Sequence, residues 1–387
     1  MKDELIAQNV VFHKENFGIK DEIITCAVPA SLITLGDHTH YNDGIILSCA
    51  VNRYAVSTVN KREDNQINIS FGDCELNYNS TLNDFSENNI RCGQVAFGPL
   101  LNLLREDGLL INGFNCSIRS NIPASIGLGN VSAHQISLLL ALNIALNLKL
   151  NDEQVVDISR RAELNFVGKI SNRAHHRTVL NCKSDAIFFN DLRTDTNDVR
   201  DIKNRDFKLI ICDTGKVIAN ISDICNERIS ECKVGVDGLR LYIWGIKNLR
   251  DINLEFLEKH FHMIPKKVYS RVFYNVQERI RVEKATKLLS DNDYNKFGEL
   301  INESHFSLRR DYEIGSEDLD FLVNEASKIN GVIASKMISC SPIESTFNFV
   351  ENNKVSNFIE EINTSYNEKY GKKLTFYSLN IVNGFNN

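Results

Sequence analysis

Strand-like segments dominate the first half of this 387-residue chain, and amphipathic helical patterns dominate most of the second half. Alternating and β-branched residues predict strands at 22–28, 44–59 and 112–119. From 226 to 328 apolar residues recur at helical spacing, most clearly over 266–290. Because strands and helices are segregated rather than regularly alternating, the pattern predicts an α+β fold with two lobes.

Shorter signals complete the predicted element order. Helices are predicted at about 132–148, 152–167 and 355–366, and strands at 185–190, 207–213, 331–338, 345–350 and 374–379. Asn151 is the expected N-cap of the second helix. The first helix contains the most apolar stretch, 136–148, which is too short to cross a bilayer and is therefore predicted to be buried. The charged stretch 195–206 is the expected hinge, which divides the chain into domains 1–205 and 206–387.

The charge balance limits the classes of partner. Forty-four Lys and Arg face 50 Asp and Glu, giving a net charge of −6, so no overall field attracts nucleic acid. The N-terminus lacks the apolar segment of a signal peptide. The ten cysteines form no C-x-x-C pair, which predicts reduced thiols and a cytoplasmic protein without a structural zinc site. Neither nucleic acid nor a membrane is an expected partner, and the sequence does not identify a protein partner.

The first segment with chemical potential is 29–44, where an apolar strand enters a turn of hydrogen-bonding residues. Asp37, His38, His40, Tyr41 and Asn42 lie close together there. Their side chains both donate and accept hydrogen bonds, as the hydroxyls of a small polyol require. An Asx-type turn between two strands is the alternative interpretation.

The second segment, 120–134, is a loop of small residues that leads into the predicted buried helix. A helix N-terminus can bind phosphate through its unpaired backbone N–H groups. An ordinary turn and N-cap would show the same pattern. The candidate phosphate-binding residues are Gly127, Gly129, Asn130 and Ser132.

The third segment, 166–177, carries His175 and His176 between Arg173 and Arg177. This arrangement suits a general base with an anion clamp, or half of a metal site. Taken alone, it is also typical of a surface loop.

Together the three segments resemble galactokinase, a member of the GHMP sugar and metabolite kinases. Residues 29–42 match, without a gap, the length of the family signature Pro-Gly-Arg-Val-Asn-Leu-Ile-Gly-Glu-His-Thr-Asp-Tyr-Asn. The resemblance is strongest at 302–313 and extends to about 337. It implies a GHMP-kinase-like fold, with a mixed sheet and helices in the N-terminal lobe and helices with an antiparallel sheet in the C-terminal lobe. It also implies ATP-dependent phosphorylation of a sugar.

The departures from the family pattern fall on the chemistry. Ser31 stands where the family has its catalytic Arg, and His175 where it has its catalytic Asp. His176 replaces the Gln that follows this Asp. In the sugar pocket the family's Glu, Asp and Tyr correspond to Asp37, His40 and Cys225.

Both phosphate-binding stretches also differ from the family. The Ser run that binds phosphate and Mg²⁺ in the family is absent after Gly127, and the glycine-rich third signature becomes 339–345. That segment includes Pro342, which lacks a backbone donor, and Glu344, whose charge would oppose a triphosphate. Since phosphoryl transfer depends on positioning and on charge neutralisation, several such losses predict a lost ATP site.

The sequence therefore predicts a galactokinase-like pseudokinase that binds a small polar, sugar-like ligand without turnover, and it identifies no cofactor for this function. Two alternatives remain open. One is a divergent ATP- and Mg²⁺-dependent sugar kinase in which His175 accepts the proton. The other is an enzyme repurposed around a histidine cluster with or without zinc, although loops under relaxed constraint would also become polar. The candidate ligands of that cluster are Asp37, His38, His40, His175 and His176.

Overall fold

A computed structural model describes residues 1–19, 22–74, 76–84, 90–92, 95–168, 171–202 and 206–387. They fall into two compact units that interleave along the sequence. Unit 1 comprises Met1–Leu32, Ala50–Cys182 and Val382–Asn387, and unit 2 comprises Ile33–Cys49 and Lys183–Ile381. The family-domain boundary at 205/206 remains a prediction.

Unit 1 combines a mixed sheet with helices. Its strands have the order β4 (Leu76–Thr81), β3 (Gln66–Phe71), β7 (Phe114–Ser120) and β2 (Ile45–Lys61). The β3–β7 pair is parallel, and the β4–β3 and β7–β2 pairs are antiparallel. β1 and β2 contribute residues to both units. The elements that include unit 1 residues are α1 (Lys2–Phe17), β1 (Ile24–Leu35), β2 (Ile45–Lys61), β3 (Gln66–Phe71), β4 (Leu76–Thr81), β5 (Arg91–Cys92), β6 (Val95–Ala96), α2 (Gly98–Glu106), β7 (Phe114–Ser120), α3 (Asn130–Ala145), α4 (Asp152–Val167) and α5 (Arg173–Asn181).

Two helices of unit 1 form as their sequence predicts. α3 is the expected buried helix, since all its residues from Ser132 to Leu142 are buried. α4 begins at a capping box, in which the Asn151 side chain accepts from the Gln154 N–H and the Gln154 side chain accepts from the Asn151 N–H. This box satisfies two of the backbone donors that a helix N-terminus leaves unpaired.

Unit 2 contains most of the helices and an antiparallel sheet of order β11-β12-β10-β13. The start of β2 pairs with β8, and β8 pairs with β9. Its remaining elements are β8 (Ala186–Asp191), β9 (Thr196–Asp201), β10 (Phe207–Val217), α6 (Ile221–Arg240), α7 (Leu254–Lys259), α8 (Lys266–Ser290), α9 (Tyr294–Ser307), α10 (Glu317–Ala326), β11 (Val332–Met337), β12 (Ile343–Glu351), α11 (Val355–Tyr370) and β13 (Thr375–Leu379).

The core of unit 2 follows the periodicity of α8. Val268, Val272 and Val276 recur every four residues and are buried in one apolar cluster with residues of α6. Such spacing places side chains on one face of a helix. The α+β class, with a mixed sheet followed by an antiparallel sheet, is confirmed.

Two expectations need correction or limits. The predicted hinge 195–206 contains strand β9, and its residues 203–205 lie outside the described ones. Cys74 is disulfide-bonded, so the prediction of reduced thiols is wrong there, because sequence spacing does not show which cysteines a fold brings together. Eight other cysteines are free thiols. No helix among the described residues has the length and hydropathy needed to span a membrane.

Candidate functional site

In unit 1, Ser31 and His175 meet although they are far apart in sequence. Ser31 Oγ lies 2.8 Å from His175 Nδ1. Ser31 is buried on β1, and its backbone N–H donates to Leu128 O at 3.1 Å. His175 is half-buried in the first turn of α5. The two positions that the resemblance assigns to the catalytic Arg and Asp therefore form one hydrogen-bonded pair.

The loop before α3 lies against this pair. Gly129 is the N-cap of α3 and has a φ of +60°. A Cβ at this position would overlap Ser31 Oγ and lie 2.8 Å from His175 Nδ1. Glycine is required here both by its backbone conformation and by this close approach. The Ser31–His175 pair consequently lies beside the N-terminus of a 16-residue helix, where unpaired N–H groups attract anions.

A buried carboxylate occupies the other part of the unit 1 site. Glu163 Oε2 lies 3.1 Å from His176 Nε2 and accepts from Ser171 Oγ at 3.0 Å and Ser132 Oγ at 3.3 Å. Burial by itself would raise the pKa of Glu163, but the neighbouring His176 and the hydrogen bonds it receives hold that pKa below its usual value. Glu163 is therefore ionised next to the start of α3.

The last part of the third predicted segment, residues 173–177, is not a surface loop. Residues Arg173–Asn181 form helix α5, which Asn172 caps by accepting from the Ala174 N–H. The loop interpretation failed because the burial of His176 and Arg177 depends on contacts that are distant in sequence. Arg177 donates to the Glu153 carboxylate at 3.0 Å. This arginine thus has an acidic partner within the unit. Lys169 and Ile170 of this segment lie outside the described residues.

The turn of the first predicted segment, residues 36–44, is in unit 2 and contains a 3-10 helix, His40–Asn42. Asp37 is bound there on both carboxylate oxygens: Oδ1 accepts from Ser339 Oγ at 2.5 Å, and Oδ2 pairs with Lys336 Nζ. Lys336 is fully buried on β11 and also donates to Thr34 O at 3.2 Å. A buried ion pair therefore fixes the start of the turn.

The aromatic and amide side chains of this turn are also held from within unit 2. Tyr41 Oη hydrogen-bonds to Tyr312 Oη, and Asn42 donates to the Asn275 side chain at 3.2 Å. The His40 ring packs edge-on against Tyr41, with centroids 4.7 Å apart. The turn is thus a rigid, hydrogen-bonded element rather than an open polar loop.

His38 is buried in this network. Its Nδ1 lies 3.3 Å from Tyr41 Oη, and its Nε2 lies 3.3 Å from Cys340 Sγ. Burial, and then the positive charges of Lys336 and Arg228, lower the pKa of His38 to about 3. The imidazole is therefore neutral at physiological pH.

The expected five-residue histidine cluster is divided between the two units. Asp37, His38 and His40 belong to unit 2, whereas His175 and His176 belong to unit 1. Where the chain is described, the one group of His, Cys or acidic residues whose ligand atoms converge comprises His38, Cys225 and Cys340.

In the segment that replaces the glycine-rich signature, the acidic residue Glu344 has a basic neighbour. Glu344 is buried, and its Oε2 lies 3.6 Å from Lys216 Nζ. Burial raises the pKa of Glu344, an effect that Lys216 only partly offsets. Pro342 O accepts from the Ile218 N–H at 2.7 Å. The acidic group predicted to repel a triphosphate is thus paired within unit 2.

Two structural features were missed from the sequence. Lys336 was not singled out, although a lysine inside a predicted apolar strand signals a buried partner. The preserved segment 302–313 and its neighbours serve an ion-pair network: Arg271 binds Glu231 at 2.7 Å and Glu313 at 2.6 Å. Arg228, a second cation of this network, donates to Tyr312 O at 2.7 Å.

Comparisons with known proteins follow the same segments. The model of the galactokinase galactose-binding signature matches residues 12–61, which include the Asp37 turn. The model of the GHMP kinases N terminal domain matches residues 95–174, which include the Gly129 loop and His175. Residues 95–174 thus resemble the N-terminal domain of the GHMP kinases.

Relatives extend this likeness to nearly the whole chain. A galactokinase from Clostridium acetobutylicum is 29% identical over 92% of this chain and 92% of its own length, and one from Roseiflexus sp. is 26% identical over 94% and 92%. Among solved structures, Lactococcus lactis galactokinase complexed with galactose has a TM-score of 0.87 at 24% identity, covering 98% of both chains. These findings confirm the galactokinase-like GHMP-kinase fold.

The expectation that the chain is not a kinase is wrong. Relatives named galactokinase, a phosphotransferase, cover more than nine-tenths of it. Motif losses were given too much weight, because the sequence does not show the contacts that the replacing side chains make. In the structure, Ser31 and His175 interact with each other, and Glu344 interacts with Lys216.

Proposed function

We propose that this chain is an ATP-dependent sugar kinase that phosphorylates a hexose of the galactose class. The observation that carries the proposal is the Ser31–His175 pair beside the Gly129 N-cap of α3. This arrangement places a proton acceptor next to an anion-binding helix terminus. The sugar class follows from the galactose-binding signature over residues 12–61 and from the relatives' names.

His175 is the proposed general base. When its Nδ1–H donates to Ser31 Oγ, its Nε2 carries the lone pair that can accept a proton from a sugar hydroxyl. Ser31 then fixes the tautomer and the ring orientation, as the third member of a catalytic triad does. His175 stands where the family's catalytic Asp lies, so the proposed role matches the position.

Ser132 and Glu163 fit the Mg²⁺ that this reaction requires. Ser132 is in the first turn of α3, and its hydroxyl contacts the ionised Glu163 carboxylate at 3.3 Å. Hydroxyl and carboxylate oxygens are ligands that Mg²⁺ accepts together with substrate phosphates. When bound, Mg²⁺ neutralises charge that develops on the phosphates. His176 and Ser171 hold the carboxylate in position from its other side.

The test is ADP release from Mg·ATP on a panel of hexoses, with the phosphorylated sugar identified by NMR. Galactose is expected to be turned over. His175→Ala should lower kcat by about 10²–10⁴-fold, the usual range for a general base. His262→Ala, at an exposed histidine of unit 2, is the matched control and should leave kcat unchanged. Absence of turnover on every sugar, or full activity in His175→Ala, would contradict the proposal.

A further inference from the structure

Three side chains from distant parts of unit 2 converge on one point. His38 lies in the turn after β1, Cys225 in the second turn of α6, and Cys340 in the turn between β11 and β12. Their ligand atoms all lie within 4.8 Å of one another. The two Sγ atoms are 3.0 Å apart, and Cys340 Sγ is 3.3 Å from His38 Nε2. His38 and Cys225 are buried, and Cys340 is partly exposed.

We propose that His38 Nε2 and the thiolates of Cys225 and Cys340 bind a zinc ion. Imidazole nitrogen and thiolate sulfur are the ligands that Zn²⁺ prefers in proteins. Binding replaces the two thiol protons, which leave for solvent, so two thiolates balance the charge of one divalent cation. A buried site with no net charge avoids the desolvation penalty of an isolated ion.

The spacing suits a tetrahedral ion after a small adjustment. With Zn–S bonds of about 2.3 Å, two sulfur ligands of a tetrahedral site lie about 3.8 Å apart. The Cys225 and Cys340 sulfurs at 3.0 Å therefore need to separate by less than about 1 Å. Cys340 has a φ of +55° in its turn, and its side chain is the partly exposed one, so this ligand is the one expected to move.

Tyr41 fixes the histidine in the orientation that a metal requires. A metal-bound imidazole usually donates its other N–H to a fixed acceptor, which sets the tautomer. Here His38 Nδ1 lies 3.3 Å from Tyr41 Oη, and Tyr41 Oη is in turn hydrogen-bonded to Tyr312. Tyr312 Oη lies 3.3 Å from Cys232 Sγ. With Nδ1–H donating to Tyr41, the lone pair of His38 is on Nε2, which is the atom nearer to Cys340.

The neighbouring carboxylate is not the fourth ligand. Asp37 precedes His38, but its two oxygens are bound to Ser339 and Lys336. Three protein ligands leave one tetrahedral position for water, as in zinc sites with two cysteines and one histidine. This site is thus of the open type rather than a closed structural one.

Metal analysis of the full-length protein tests the proposal without ATP or sugar, so its outcome is independent of the kinase assay. Reduced, chelator-washed protein is reloaded with Zn²⁺, dialysed and analysed for metal. One zinc ion per chain is expected. Titration with Co²⁺ should give an intense near-ultraviolet thiolate-to-cobalt band that Zn²⁺ abolishes. This band reports sulfur ligation in the wild type, so it does not depend on any variant folding.

Variants identify the ligands. Cys225→Ser and Cys340→Ser should each weaken Co²⁺ binding by about 100-fold or more and reduce the charge-transfer band, whereas Tyr41→Phe should weaken it by about 10-fold and retain the band. Cys212→Ser is the matched control, because Cys212 is also a buried free thiol of unit 2 but bonds to Asn348. It should bind as tightly as the wild type.

Three results would overturn the proposal. These are less than about a tenth of a zinc ion per chain after reloading, a cobalt complex without the thiolate band, and equal affinity in the ligand variants and Cys212→Ser. If the purified protein contains a Cys225–Cys340 disulfide, the disulfide is reduced before zinc is added. Zinc binding by the reduced protein supports the proposal, and its absence refutes it.

Discussion

The ion pair between Lys336 and Asp37 offers the sharpest test of how unit 2 is held together. Lys336 is fully buried, and only 6% of Asp37 is exposed. Replacing Lys336 by Met keeps the length and volume of the side chain but removes the ammonium group. The Asp37 carboxylate then retains Ser339 as a hydrogen-bond donor but has lost its countercharge.

The expected loss is large because the remaining charge cannot reach water. Breaking a buried ion pair by removing one partner costs about 3–5 kcal/mol, whereas replacing both partners is often neutral or stabilising. Lys336→Met should therefore lower the melting temperature by about 6–20 °C for a body of this size. The double variant Lys336→Met/Asp37→Asn should recover most of this loss, because its amide carries no charge and can still accept from Ser339.

Urea unfolding followed by circular dichroism measures the effect, with Lys328→Met as the matched control. Lys328 pairs with Glu325 at 2.6 Å, but its side chain is 66% exposed, so its removal should cost less than about 1 kcal/mol. If Lys336→Met unfolds within about 1 kcal/mol of the wild type, or if the double variant is less stable than the single one, the reasoning is refuted.

Further predictions concern Glu163, Glu344 and Gly129. Burial would raise the pKa of Glu163, but His176 and the hydrogen bonds to this carboxylate lower the pKa. The ionised carboxylate therefore stabilises the fold above about pH 4.3, the pKa of Glu in the unfolded chain. This stabilisation is lost as the pH falls through the lower pKa of the folded state. Glu163→Gln should flatten the acid side of the stability–pH curve measured in urea, and an unchanged slope would count against this. Burial raises the pKa of Glu344, so above about pH 4.3 its ionisation favours the unfolded chain. Glu344→Gln should therefore raise the melting temperature more at pH 8 than at pH 4. Equal shifts at the two pH values would show that the pKa of Glu344 is not raised in the folded state. Gly129→Ala should displace His175 and lower kcat by about 10²-fold in the hexose assay, and undiminished turnover would show that the close approach is unimportant.

Elements with strong local signals were predictable from the sequence. α4 and α8 begin and end where the pattern places them, because α4 has a capping box and α8 has 25 residues of regular periodicity. α1 was missed because its buried face includes the polar residues Asn9 and His13. Asn9 donates to Thr58 Oγ1 at 2.9 Å, and such a face has no apolar stripe.

The site was only partly predictable for a different reason. The resemblance located Ser31, His175 and the Asp37 turn, since these lie in contiguous motifs. No local pattern joins Cys225 to Cys340, which are 115 residues apart, or Lys336 to Asp37. A structural zinc site was also argued against from the lack of a C-x-x-C pair, a rule that applies to ligands close in sequence and says nothing about ligands joined by the fold.

The replaced catalytic positions are best understood as one coupled change. In the family an arginine and an aspartate occupy the positions of Ser31 and His175, so the charges of the two replaced residues cancel. Here a hydroxyl and an imidazole occupy the two positions and form a 2.8 Å hydrogen bond. Restoring one family residue alone would place an unpaired charge against Gly129, whereas restoring both would re-form a pair. Residues in direct contact couple by about 0.5–3 kcal/mol, so the effect of either replacement depends on the other.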